Sequence, residues 1–239
     1  MTVLLRAEGI GKSFGRNAVL KSAAVWAEAG QVSVLLGRNG SGKTTLMRIA
    51  CGCLRADFGT VRFGEYAWER PALSSLARLG LMYLPQEGLL SNRYSVEQHL
   101  DVIAFRYGSY RVVEAVERLR LGECLGLRPW QLSGGERARA SLALALIRGP
   151  RCLVVDEPLA GLAPLDSDLL AQVLRTMADE GCAVVTSGHD ARELLALADV
   201  VLWCVAGTTH HLGPPEQAVG HTQFVREYLG PGFRLQKEA

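Results

Sequence analysis

An α/β fold, with a mainly parallel sheet and helices on both faces, is predicted for this chain by three features. Short apolar runs at 32–36, 152–155, 183–186 and 200–205 alternate with helix-patterned stretches at 166–180 and 190–198, as strands do when crossover helices join them. A glycine-rich stretch separates the run at 32–36 from a helix-forming stretch at 42–50. Between residues 87 and 131 the alternation stops and apolar residues recur at helical spacing.

Taken in order, residues 3–8 read as a strand and 9–15 as a turn. The run at 32–36 is apolar apart from Ser33, which suits a strand covered on both faces. A helix is expected at 42–50 and short strands at 60–63 and 81–84. In the interruption, Val96, Leu100, Ile103 and Ala104 are expected on one helical face, and Val112, Val113, Val116 and Leu119 on another. The expected organisation is one domain over 1–239. Its core is 1–86 and 132–220, with an inserted helical subdomain at 87–131 and a tail at 221–239.

Composition narrows the function. Of 239 residues, 49% are hydrophobic and 21% charged, ordinary for a globular protein. The net charge of +2 and the lack of a Lys/Arg block argue against a nucleic-acid partner. No apolar run reaches the roughly 18 residues of a membrane span, and residues 1–10 lack the apolar stretch of a signal peptide. The six cysteines stand singly in apolar runs without CxxC spacing, so they are expected to be reduced core residues.

The chemistry starts at Gly37-Arg38-Asn39-Gly40-Ser41-Gly42-Lys43-Thr44-Thr45, which matches G-x-x-x-x-G-K-[ST] between a strand and a helix. The glycines let the backbone curl round a phosphate, and its N–H groups then point at the anion from the positive end of the helix. Lys43 is expected to reach the β- and γ-phosphates, Thr44 to bind Mg²⁺ and Thr45 to bond a phosphate oxygen. Downstream, the strand at 152–155 ends in Asp156 and Glu157. Laid beside the strand at 32–36, it would turn Asp156 toward the Mg²⁺ and Glu157 toward the γ-phosphate, where a carboxylate can polarise water.

Leu132-Ser133-Gly134-Gly135-Glu136 lies 20 residues ahead of Asp156, just before a helical run. It resembles the signature motif of ABC ATPases, with Glu136 where the family usually has Gln. Gln86 resembles the family's Q-loop glutamine, which reaches Mg²⁺ or water. His189 resembles the switch histidine that contacts the γ-phosphate, and Phe14 the aromatic that stacks on adenine. The likeness runs from Leu4 to the tail. The stretches 83–87 and 132–136, and Tyr228-Leu229-Gly230 ahead of Phe233-Arg234-Leu235, look like the lipopolysaccharide-export ATPase; Gly161-Leu162-Ala163-Pro164 looks like the branched-chain amino-acid importers. In one departure, Ala163 stands where the D-loop commonly carries Asp; Asp166 comes three residues later.

The resemblance implies a P-loop ATPase core with an N-terminal antiparallel β portion. It implies a dimer, most simply of two identical copies, with two ATP molecules between them. Each ATP is then gripped by the Lys43 loop of one copy and by Ser133, Gly134, Gly135 and Glu136 of the other. Glu157 orients water, while His189 and Lys43 stabilise γ-phosphate charge. Transmembrane permease subunits are the implied partners, and the inner face of the cell membrane the implied location. A soluble ABC-type ATPase is the alternative, although such proteins usually carry two ATPase units in one chain and this chain has one. A small-molecule P-loop kinase would leave residues 132–136 and His189 without a role.

Overall fold

The run at 32–36 is buried throughout and lies inside the sheet, between the strands at 200–205 and 183–188. The structure, a computed structural model, describes residues 3–230 and 232–235. The strands are β1 (Val3–Phe14), β2 (Asn17–Glu28), β3 (Val32–Leu36), β4 (Phe58–Phe63), β5 (Tyr66–Trp68), β6 (Leu81–Leu84), β7 (Cys152–Val155), β8 (Ala183–Gly188), β9 (Val200–Val205) and β10 (Thr208–Gly213). They form one sheet in the order β5-β4-β1-β2-β10-β9-β3-β8-β7-β6. The half from β6 to β9 is parallel, and β1, β2, β4 and β5 are antiparallel. The halves join where β10, antiparallel to β9, pairs with β2 through Thr208 and Ser22.

Helices α1 (Lys43–Ala50), α2 (Leu73–Arg78), α3 (Val96–Tyr107), α4 (Val112–Arg118), α5 (Gly134–Arg148), α6 (Pro164–Asp179) and α7 (Ala191–Leu197) cover the sheet. Alternation along β3 divides the interior in two. Val32, Val34 and Leu36 share a core with Leu144, Leu174 and Leu195 of α5, α6 and α7. Leu35 belongs to the other core, with Leu46 and Met47 of α1 and Leu5 and Val25 of the antiparallel half. All six cysteines are free, and all but Cys53 are buried; no described helix is long and apolar enough to cross a membrane.

Several boundaries differ from expectation. The chain does not turn at residues 9–15: β1 continues to Phe14 and closes on β2 through Phe14 and Asn17, with a register shift between Ala7 and Ile10. Strands β2 and β10 were outside the sequence expectation because Lys, Ser, Ala and His interrupt their apolar pattern; cross-strand pairing supplies what local pattern does not. On α4, Val113 is 67% exposed while Leu119 is buried. Neighbouring helical residues point about 100° apart, so Val112 and Val113 cannot both face the core. The expected helix at 42–50 begins at Lys43, and the run near 138–147 begins earlier, at Gly134.

Candidate functional site

Strand β3 ends at Leu36 and α1 starts at Lys43, so six residues must reverse the chain. Gly42, the N-cap of α1, has φ 104°, a left-handed conformation that a Cβ would strain. No side chain caps this helix, which leaves its N-terminal amides to another partner. Lys43 is 4% exposed. A cation so buried needs compensation: its Nζ donates to the carbonyl of Gly37 at 2.9 Å and of Arg38 at 3.4 Å, and lies 3.3 Å from Glu157 Oε1. The Ser41 hydroxyl in the same loop is buried without a hydrogen-bond partner among the described residues.

Strand β7 does not lie beside β3 as expected, because β8 is inserted between them; parallel pairing of β3 with β8 and of β8 with β7 nevertheless sets their ends side by side. Asp156 is 1% exposed. One of its carboxylate oxygens accepts from Ser187 Oγ at 2.6 Å and the other from Tyr83 Oη at 3.4 Å. Burial, followed by the Asp156 charge, pushes the Tyr83 phenol up, so it stays protonated and donates. Among the described residues no Lys or Arg pairs with Asp156, so a buried carboxylate faces the site with hydroxyl partners only. Glu157 follows with φ 48°, a region that non-glycine residues occupy mainly where surrounding structure imposes it. Its N–H donates to Ser187 Oγ at 3.1 Å, and its Oε2 lies 3.5 Å from His189 Nδ1. Ser187 thus orders both acidic residues.

One cleft of ≈ 490 Å³ is lined by Asn39, Gly40, Gly42, Lys43, Thr44, Thr45, Gln86 and Glu157, together with Asn17 and Val19 of β2. Eight residues expected at the site from sequence therefore converge on one cavity. A second cavity of ≈ 290 Å³ runs past Gln86, Asp156 and Glu157 to Gly134. Phe14 pairs with Asn17 across the β1–β2 turn; its ring is half exposed, with Lys12 Nζ 5.5 Å from its centre.

The turn at 133–136 has a different character. Ser133 Oγ accepts from the Glu136 N–H at 3.2 Å, and Glu136 Oε2 accepts from the Ser133 N–H at 2.8 Å. This reciprocal capping box starts α5. The Ser133 N–H and hydroxyl, then the Cys124 thiol, hold the Glu136 carboxyl below its ordinary range. Glu136 is thus engaged within its own turn, while Ser133 and Gly134 are exposed.

Sequence reasoning missed Ser187, Tyr83, Asn17 and Val19 as site residues. Ser187 carried the one readable signal, a hydroxyl two residues before His189 in an apolar strand. It also missed contacts from the C-terminal segment: Tyr228 Oη donates to the His189 carbonyl at 2.9 Å, and Arg38 donates to the Glu227 carbonyl at 2.7 Å. The last tail residues, 236–239, lie outside the described residues.

Comparison with known proteins bears on the same segments. The family described as ABC transporter matches residues 20–160. The lipopolysaccharide export system ATP-binding protein LptB of Acidithiobacillus ferridurans is 30% identical, over 98% of this chain and 100% of its own. The sulfate/thiosulfate import ATP-binding protein CysA of Bordetella parapertussis is 35% identical, over 98% of this chain and 69% of its own. The crystal structure of an ATP-binding cassette of an ABC transporter in its ADP conformation superposes with a TM-score of 0.83 at 22% identity, covering 96% of this chain and 100% of that one.

Proposed function

We propose a working cycle for this chain, which belongs to the ABC transporter family and is an ATP-binding, ATP-hydrolysing subunit that works with membrane partners. The triphosphate enters the cleft at the N-terminus of α1, where free amides and the unpartnered Ser41 hydroxyl favour an anion. Lys43 exchanges its loop carbonyls for phosphate oxygens, and Thr45 adds a hydroxyl. The adenine end lies toward Phe14, Asn17 and Val19. Thr44, Gln86 and the buried Asp156 suit a hard divalent cation, being oxygen donors with one buried carboxylate that lacks a cationic partner. When bound there, Mg²⁺ supplies charge neutralisation on the phosphates.

Glu157 is the general base. Its carboxylate accepts a proton from the attacking water, while Lys43 and His189 stabilise charge on the transferring phosphoryl group. The observation that carries this reading is the convergence of Lys43 and His189 on the two oxygens of one carboxylate, at 3.3 and 3.5 Å. The turn Ser133-Gly134-Gly135, exposed at Ser133 and Gly134 and with Glu136 fixing its geometry, closes over the nucleotide of a second, identical copy. Transmembrane permease subunits receive the opening and closing at the inner face of the membrane. Because relatives of this chain bear both export and import names, we assign cargo and direction to the membrane partner.

Replacing the base tests the assignment. Glu157→Gln is expected to keep nucleotide affinity, lower kcat by about 10²–10⁴-fold, and shift the chain with Mg-ATP to a dimer on size-exclusion chromatography. Unchanged turnover would remove Glu157 from the reaction, and a monomer at saturating ATP would remove the facing copy.

A further inference from the structure

We infer that Asp166 is a positioning residue that ties the Ser133-Gly134-Gly135 turn of a copy to that copy's own hydrolytic segment. The inference rests on the cycle proposed above and concerns the link between its two half-sites.

Asp166 sits in the first turn of α6, after Ala163 and Pro164. That helix starts at Pro164, on the segment that leaves Glu157. The Asp166 side chain crosses to α5. Its Oδ1 lies 3.1 Å from Arg139 Nε, and its carboxylate occupies the space that a Cβ on Gly135 would need. The two groups touch only because residue 135 is glycine. Arg139, its side chain 14% exposed, uses another nitrogen to hold the end of α4, donating to the carbonyls of Leu119 at 2.9 Å and Arg120 at 2.8 Å. One guanidinium therefore joins the helical subdomain, the start of α5 and the start of α6.

Geometry and charge give this contact a consequence. The turn at 133–135 serves the nucleotide of the facing copy, whereas Glu157 serves this copy's own. A shift of α6 when Glu157 engages water would press through Asp166 on Gly135 and pull on Arg139, reorienting the turn presented to the neighbour. The guanidinium also offsets a carboxylate that would otherwise stand unbalanced behind an anion-binding turn. Asp166 touches no nucleotide in this arrangement; it acts through Gly135 and Arg139.

A double-mutant cycle tests the link on this chain, with Asp166→Asn, Arg139→Gln and both together. Each single change is expected to lower kcat about tenfold and to bring the Hill coefficient for ATP down toward 1, while a fluorescent ATP analogue binds the dilute full chain with unchanged affinity. The double variant is expected to lose no more than either single one. Thermal melts identify a variant that fails to fold; the linkage is then read on the other single variant. Wild-type kcat and Hill coefficient in a folded Asp166→Asn protein, or losses that simply multiply in the double variant, overturn the inference. Lys43→Ala separates this from failure of the underlying cycle: if it retains full nucleotide affinity, the cycle fails, whereas if it loses affinity and the Asp166 variants behave as wild type, only the link does.

Discussion

Two glycine-rich turns start helices in this molecule, and they are finished to different degrees. The turn before α1 has a buried lysine folded into it, no side-chain cap, and a cleft in front walled by residues of its own chain from β2, Gln86 and Glu157. The turn before α5 is exposed, and its helix is already capped by its own serine and glutamate. The first is a vessel waiting for a ligand. The second is a finished surface, exposed at Ser133 and Gly134, whose serine hydroxyl and flanking amides are already engaged in its own cap. The difference teaches that matching backbone chemistry does not make equivalent sites. A binding pocket needs walls, and in the proposed cycle the turn at 133–136 borrows them from a neighbour.

Substitutions in the two turns should separate these roles. The largest effect is expected at the walled turn: Lys43→Ala should weaken nucleotide binding by about 10–100-fold, the range for losing a charge-assisted hydrogen bond, as read by calorimetry on dilute protein. Equal affinity would erase the contrast. Ser133→Ala should leave that affinity alone, cost about 1 kcal/mol of stability through the lost cap, and reduce kcat about tenfold at protein concentrations where dimers form. Loss of stability without loss of kcat would make the second turn a helix cap and nothing more.

The smallest effect is in pH dependence. The folded-state carboxyl of Glu136 is held below its ordinary value, chiefly by the Ser133 N–H and hydroxyl. Its contribution is therefore complete above the unfolded-state value near ~4.3 and is lost as pH falls through the lower folded-state value. Glu136→Gln should flatten the acid limb of stability below about pH 4 relative to wild type, measured by denaturant midpoints across pH. An unchanged acid limb would show that the capping box does not hold in solution.

The walled turn was largely legible in the sequence because its chemistry is local. Gly37 to Thr45 is contiguous, and a strand and helix flank it as the motif requires. Asp156 and Glu157 were legible because β7 is apolar up to their very edge. Ser187 and Tyr83 were not, since their importance comes from parallel pairing that sets the ends of β6, β7 and β8 side by side. Strand β2, which brings Asn17 and Val19 to the cleft, was hidden by Lys21 and Ser22; its stability comes from twelve residues laid along β1 rather than from its own pattern. Val113 shows the reverse error, an apolar residue assigned to the core although its neighbour already held that direction. Asp166 was set aside on sequence position, and only the folded chain reveals that α6 carries it onto α5.

The salt bridge between Lys43 and Glu157 has a kinetic meaning. In the proposed cycle, while the two clasp each other the ammonium occupies one oxygen of the carboxylate that is to receive the water proton. In that cycle an arriving triphosphate recruits the ammonium and releases Glu157 at the moment there is something to hydrolyse. The substrate thus arms its own attack, a safeguard written into one pair of side chains.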